Sequence, residues 1–186
     1  MEFTDLLLLF LIIFLIVISG ILSGSETAIT AISKPRIISK AKQGNSRAIF
    51  VKNLIDTYRV TPCAGIAANQ LGYDQSLFIG MKIDDRPDED KDDKQNLDKV
   101  KRNPDNYEIY INPQIDRVDE KSIQDGEEGC LSIPFLTLDL IRYDKIKVRY
   151  YTVDGNRIKK PLSGFLSRLF QHELDHLEGK LMLEHK

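Results

Sequence analysis

The segment Gln171-His172-Glu173-Leu174-Asp175-His176 constrains this chain more than any other stretch. On a helix, side chains four positions apart project from one face, so the imidazoles of His172 and His176 can reach one ion. Glu173 sits beside them on a neighbouring side, where a carboxylate can handle the proton of an activated water. The chain contains three histidines, and two of them fall in this pattern. Periodicity predicts a helix over 163–177, with Phe165, Leu166, Leu169 and Phe170 as its apolar face. The competing reading, two surface histidines on a polar helix, fits that apolar face poorly.

A metal site needs a third protein ligand. Thermolysin-type proteases take it from a downstream glutamate and metzincins from a later histidine. The residues after His176 follow neither plan. The candidate lies upstream in EEGCLSIP, where Cys130 stands at the edge of a predicted strand. A thiolate and two imidazoles leave the fourth tetrahedral position open, as a catalytic site requires. That donor set suits iron(II), zinc(II), nickel(II) or cobalt(II) and argues against magnesium or calcium. A small buried hydrophobe is the other reading of Cys130. The second cysteine, Cys63, adds too little for a disulfide framework, which points to a reducing compartment or a free thiol with a job.

Composition matters mainly for what it excludes. The 186 residues carry 26 basic and 28 acidic side chains, a net charge of -2, so there is no chain-wide footprint for nucleic acid and no sequence-specific nucleic-acid binding is expected. With 42% hydrophobic and 29% charged residues, the chain is expected to fold and not to be disordered.

That average hides one biased segment. Residues 6–22 form an uncharged apolar run broken only by Ser19 and Gly20. Its length is near the short end of the about 17–25 residues that span a bilayer. Glu2 and Asp5 precede it, while Lys34, Arg36, Lys40, Lys42 and Arg47 follow, so the positive-inside bias places the C-terminal side in the cytoplasm. The expectation is a membrane anchor facing the cytoplasm.

Further along, a second helix is predicted over 48–59. Residues 84–106 are crowded with alternating charges and read as an exposed insertion. Strands are predicted over 108–112, 137–142 and 145–153, and Asp154-Gly155 signals a turn into 157–159. Short strands closed by a helix indicate an α+β class: antiparallel strands around a C-terminal metal-binding helix, preceded by one transmembrane helix.

Three motifs in order carry a family resemblance: CAGIAANQ over 63–70, EGCLS over 128–132 and QHELDH over 171–176. Over about residues 53–183 the chain resembles the peptide deformylases, whose motifs are G-x-G-x-A-A-x-Q, E-G-C-L-S and Q-H-E-x-D-H. Residues 1–47 resemble the start of a CorC/hemolysin-C (CNNM-like) transmembrane domain. The chain therefore divides into an anchor segment at 1–47 and a deformylase-like domain at 48–186.

The deformylase resemblance implies a hydrolase that removes the formyl group from the N-terminal formylmethionine of nascent polypeptides at the ribosome. It implies one divalent ion, iron(II) in the cell, on Cys130, His172 and His176. Glu173 would move the proton, while Gln70 and the backbone N–H of Leu131 would hold the developing oxyanion. Gly65 and Ile66 would contact an extended peptide whose methionine fills an apolar pocket. Glu128 and Arg142 are expected to form a buried ion pair, Asp175 to pair with a nearby base such as Arg168 in preference to orienting His172 or His176, and His185 to lie in solvent.

The first motif departs from the family at Cys63, where glycine is usual, and at Asn69, where proline or threonine is common. Phe135 stands where a smaller or polar residue is frequent. An impaired, membrane-anchored remnant of the enzyme and a zinc endopeptidase are the alternative readings.

Overall fold

The computed structural model describes residues 41–86 and 103–185, together with Phe14. The run at 6–22, Phe14 aside, and the rest of the transporter-like stretch up to residue 40 lie outside the described residues. Among the described residues no helix is long and apolar enough to cross a membrane.

Helix α1 (Ser46–Val60) is the helix expected at 48–59, started by Asn45, whose side chain accepts from the Ala48 N–H. Strand β1 (Gly65–Ala67) and a 3₁₀ turn (Ala68–Leu71) follow, then β2 (Leu77–Met81), β3 (Tyr107–Val118), β4 (Ile123–Cys130) and β5 (Ile133–Tyr143). The chain closes with β6 (Ile146–Tyr151), β7 (Arg157–Leu162), helix α2 (Gly164–Leu177) and a 3₁₀ turn (Met182–His185). The Asp154-Gly155 turn is present, with Gly155 at φ +81 between β6 and β7.

Five antiparallel strands form one sheet in the order β1-β2-β3-β6-β7, and β4 with β5 form a separate two-stranded ribbon. The sheet lies between the two helices at its β1–β3 end. Phe50, Leu54 and Tyr58 of α1 pack with Leu77, Ile79, Ile109 and Ile111 on one face. Phe170 of α2 packs with Phe78, Tyr110, Val148 and Tyr150 on the other. Because β2 is buried on both faces, it reads as a continuous apolar run and shows no alternation.

One strand is longer than the sequence pattern predicts, and another is not among the strands it predicts. Strand β3 runs on past residue 112 through Pro113 and two register shifts, with Asn112 at φ 49. These irregularities interrupt the alternation that marks a strand. Strand β4 carries the polar run Gln124-Asp125-Gly126-Glu127-Glu128, and its strand form comes from its partner β5. The insertion at 84–106 also differs at its start. Arg86 is buried, pairs with Asp84 at 2.8 Å and stacks 3.7 Å from the centre of the Phe165 ring. Residues 87–102 of the insertion lie outside the described residues.

Candidate active site

Helix α2 is anchored at its N-terminus from outside. Ser163 makes no side-chain cap; instead the Gly164 N–H donates to Asp144 Oδ1 at 2.8 Å. Gly179 at φ +76 ends the helix, and the Lys180 N–H returns to the Asp175 carbonyl at 2.8 Å. Between these ends His172, Glu173 and His176 are all buried. Across from them the β4–β5 ribbon delivers Cys130, which is 1% exposed.

The structure thus brings together the three candidate ligands. One ligand atom from each of Cys130, His172 and His176 lies within 4.8 Å of the others. Cys130 Sγ is 3.1 Å from His176 Nε2. Both cysteines are free and buried, and Cys63 packs in the core beside α1. Cys63 does not adopt positive φ, so a side chain is tolerated where the family has glycine.

Burial pushes the Cys130 thiol up, but hydrogen bonds with His172 and His176 outweigh it and bring the group down to about 5. Burial also opposes protonation of His172, yet its bonds to Cys130 and Glu128 raise it to about 10. Both directions describe a thiolate beside a protonated ring, and a divalent ion would take the place of that proton between the thiolate and the neutral imidazole.

A buried ionic network stands behind the ligands. Glu128 is 0% exposed, and its Oε2 lies 2.9 Å from His172 Nδ1, leaving Nε2 for an ion. The expected Glu128–Arg142 pair is present and bidentate, at 2.8 and 2.9 Å. Arg168 Nη1 adds a third donor at 2.8 Å and also reaches the carbonyls of Gly126 and Leu140 at 3.1 Å each. Burial disfavours the Glu128 carboxylate, but Arg142 and His172 more than offset it and hold the group well below the usual range.

Asp175 takes the structural role expected of it, but with Arg142 at 2.6 Å in place of Arg168, whose Nη1 and Nη2 go to Glu128 and to the carbonyls of Gln124, Gly126 and Leu140. His185 is exposed, as expected, and its Nε2 lies 2.7 Å from Asp175 Oδ2.

Glu173 is buried without a matching base. Its Oε2 has no hydrogen-bond partner, and burial raises the group to about 7 even though His172 and His176 pull the other way. Gly65 explains the room it occupies. A Cβ on Gly65 would stand 2.5 Å from Glu173 Oε1, so the missing side chain admits the carboxylate.

The first motif forms the opposite wall. The Gln70 side chain is fixed at both ends, accepting from the Ala67 N–H at 2.9 Å and donating to Ser132 Oγ at 3.0 Å. Its Nε2 also lies 3.3 Å from His176 Nε2. Ser132 was visible only as the last letter of its motif, and its hydroxyl now links the two walls. Asn69 donates from its side chain to the His176 carbonyl, a contact that proline, which has no side-chain donor, could not make.

Ile66 is 1% exposed in the core, so only its backbone is available to a ligand. It pairs with Ile79 across one edge of β1, and β1 ends the sheet order. Leu131 follows Cys130 in the ribbon turn. Phe135 projects fully into solvent at φ 67, a conformation costly for a bulky residue.

The profile of the polypeptide deformylase family matches residues 25–186, a wider span than the motifs marked. A peptide deformylase from Picosynechococcus is 34% identical over 77% of this chain and 68% of its own length. A Met-Ala-Ser-bound crystal structure of a class I type b peptide deformylase from Acinetobacter baumannii superposes with a TM-score of 0.54 at 29% identity, covering 66% of this chain and 70% of that one. Plasmodium falciparum peptide deformylase gives 0.58 at 27% identity, over 73% and 70% of the two chains. The transporter resemblance of the first residues finds no support, and the deformylase match takes in residues 25–47 of that stretch.

Proposed function

This chain belongs to the polypeptide deformylase family, which removes the formyl group from N-terminal formylmethionine, and from that premise we propose how its own residues carry the reaction. Cys130, His172 and His176 hold one divalent ion, iron(II) in the cell, with zinc(II), nickel(II) or cobalt(II) able to replace it. The donor set fits such an ion: a thiolate, two imidazoles, and Glu128 orienting one ring from behind. Lewis-acid activation of water and of the formyl carbonyl is what a divalent ion supplies at such a site.

Everything else falls to the protein. Glu173, raised to about 7, accepts the proton of the attacking water and delivers it to the amine nitrogen as the C–N bond breaks and formate leaves. Gln70 has two amide N–H groups; one is spent on Ser132, and the other, beside His176 Nε2 at 3.3 Å, would turn with the Leu131 backbone N–H to the developing oxyanion once an ion occupies that nitrogen. The edge of β1 at Gly65 and Ile66 that no described strand pairs with takes the extended peptide through its backbone. The Acinetobacter enzyme binds Met-Ala-Ser, and the corresponding formylated peptide is the substrate proposed here. Formylated nascent chains emerging from the ribosome are its source.

The observation that carries this reading is the unpartnered Glu173 oxygen, buried beside three converging ligand atoms. The complete set leaves the impaired-remnant reading without support. Cobalt(II) titration followed by thiolate-to-metal absorption tests the ligands: the wild type should take up one equivalent with a sulfur band, and Cys130→Ser should lose that band. A band unchanged in the variant would remove Cys130 from the site. Cleavage of unformylated peptides within the chain would instead favour an endopeptidase.

A further inference from the structure

Net charge conceals a segregated surface. Helix α1 covers the sheet face over β2 and β3 as far as Tyr151, which is partly buried against its cluster. Beyond that point no described residue covers the same face. Its outward side chains on β3, β6 and β7 include five cations, Arg117, Lys147, Arg149, Arg157 and Lys159. The acid among them is Asp116, which Arg149 and Lys159 share at 2.6 and 3.3 Å. Arg117, Lys147 and Arg157 have no ion-pair partner among the described residues.

The strand register sharpens the point. Arg117 stands directly opposite Lys147, and Arg149 directly opposite Lys159. Like charges placed opposite one another on a sheet weaken the pairing. Asp116 relieves that between Arg149 and Lys159, but among the described residues no acid pairs with Arg117 or Lys147, so the fold gains nothing from setting those two together. Lysines often protect an edge strand from unwanted pairing, which would account for β7. It does not account for Lys147, which lies on β6 between β3 and β7.

We propose that this face binds the phosphate backbone of single-stranded RNA, without reading bases. Cations on alternate residues and neighbouring strands are about 5–7 Å apart, a lattice that a flexible phosphate chain can follow. Tyr151, half-buried opposite Arg157, gives the array an aromatic edge on which a base can stack. An anionic membrane is the other polyanion to consider, and surface binding there draws on an apolar face as well as charge. The outward positions of β6 and β7 hold Lys147, Arg149, Tyr151, Arg157, Lys159 and Pro161, with no exposed aliphatic chain to insert. The face lies across the sheet from α2, so RNA and formylated peptide would bind independently.

The test is fluorescence anisotropy of a labelled 20-nucleotide mixed-sequence RNA with the full chain at low and moderate salt. Arg117→Glu/Lys147→Glu/Arg157→Glu should weaken binding at least tenfold and lower the salt slope by about 2, near 0.7 per lost phosphate contact. Lys52→Glu/Arg59→Glu/Lys180→Glu, with the same change in net charge, should bind within twofold of wild type. Formate release from formyl-Met-Ala-Ser should stay within twofold in both triples. Lys147→Glu alone guards against misfolding, since an acid opposite Arg117 should raise the unfolding midpoint while RNA binding falls. The proposal is overturned if the wild type binds no RNA, if both triples weaken it equally, or if Lys147→Glu leaves it unchanged. Tighter binding to phosphatidylserine vesicles than to RNA through the same three residues would overturn it in favour of a membrane.

Discussion

The two walls of the active-site cleft are built on different physics. The wall of β4 and α2 is braced by charge: Glu128, Arg142, Arg168 and Asp175 form one connected network behind His172. The wall of β1 and its 3₁₀ turn is held by neutral amide and hydroxyl contacts, partly open to solvent, through Gln70, Ser132 and Asn69. A buried charge network tolerates little change, because removing one member leaves the others uncompensated. Neutral, half-exposed contacts can be traded more freely. Metal ligands need a fixed geometry, and the charged wall is the one that carries them.

The comparison can be broken at several points. The largest effect should come from Glu128→Gln, which leaves Arg142 and Arg168 short of a counter-charge and His172 without its orienting partner. We expect a loss of about 3–5 kcal/mol in urea unfolding, with about 10–100-fold weaker metal retention. The pH dependence follows in sign. Glu128 titrates well below its ordinary 4.5, so its contribution is complete above that value and fades as pH falls through the lowered one. The gap between wild type and variant should therefore shrink below about pH 4.5. A gap that grows in acid would mean the network is not what stabilises this wall.

Gly65→Ala should come next. The added Cβ would press on Glu173, so kcat should fall about 10–100-fold, roughly 1.4–2.8 kcal/mol, with the unfolding midpoint little changed. A normal kcat would show that Glu173 needs no such opening. Ser132→Ala frees one end of the Gln70 amide and should reduce kcat about tenfold or less, leaving cobalt(II) uptake intact. Asn69→Ala removes one contact to the His176 carbonyl and should cost about 1 kcal/mol of stability. If Asn69→Ala proved more damaging than Glu128→Gln, the contrast between the walls would be reversed.

The braced wall was the more legible one in sequence. Its ligands sit in two intact motifs, and the four-residue spacing of His172 and His176 depends on nothing but the helix that α2 forms. The ion pair of Glu128 and Arg142 could be anticipated from charge and motif position. The partner of Asp175 could not, because both Arg142 and Arg168 reach Glu128 and only the fold decides which has a nitrogen left for Asp175. Strand β4 was hidden for a related reason: its residues are polar, and the pairing is imposed by β5. At the other wall the departures at Cys63 and Asn69 were visible, yet their sense was not. Cys63 is absorbed by the core, and Asn69 makes a bond that only the folded helix end supplies.

The central claim is that Cys130, His172, His176 and Glu173 together deformylate a peptide. Its most direct test is formate release from formyl-Met-Ala-Ser by the full chain, loaded with iron(II) or nickel(II) without oxygen, beside Glu173→Ala. The account predicts steady release by the wild type and a fall of about 10²–10⁴-fold in the variant, with metal still bound. Equal release from both proteins, or none from a folded and metal-loaded wild type, would contradict it.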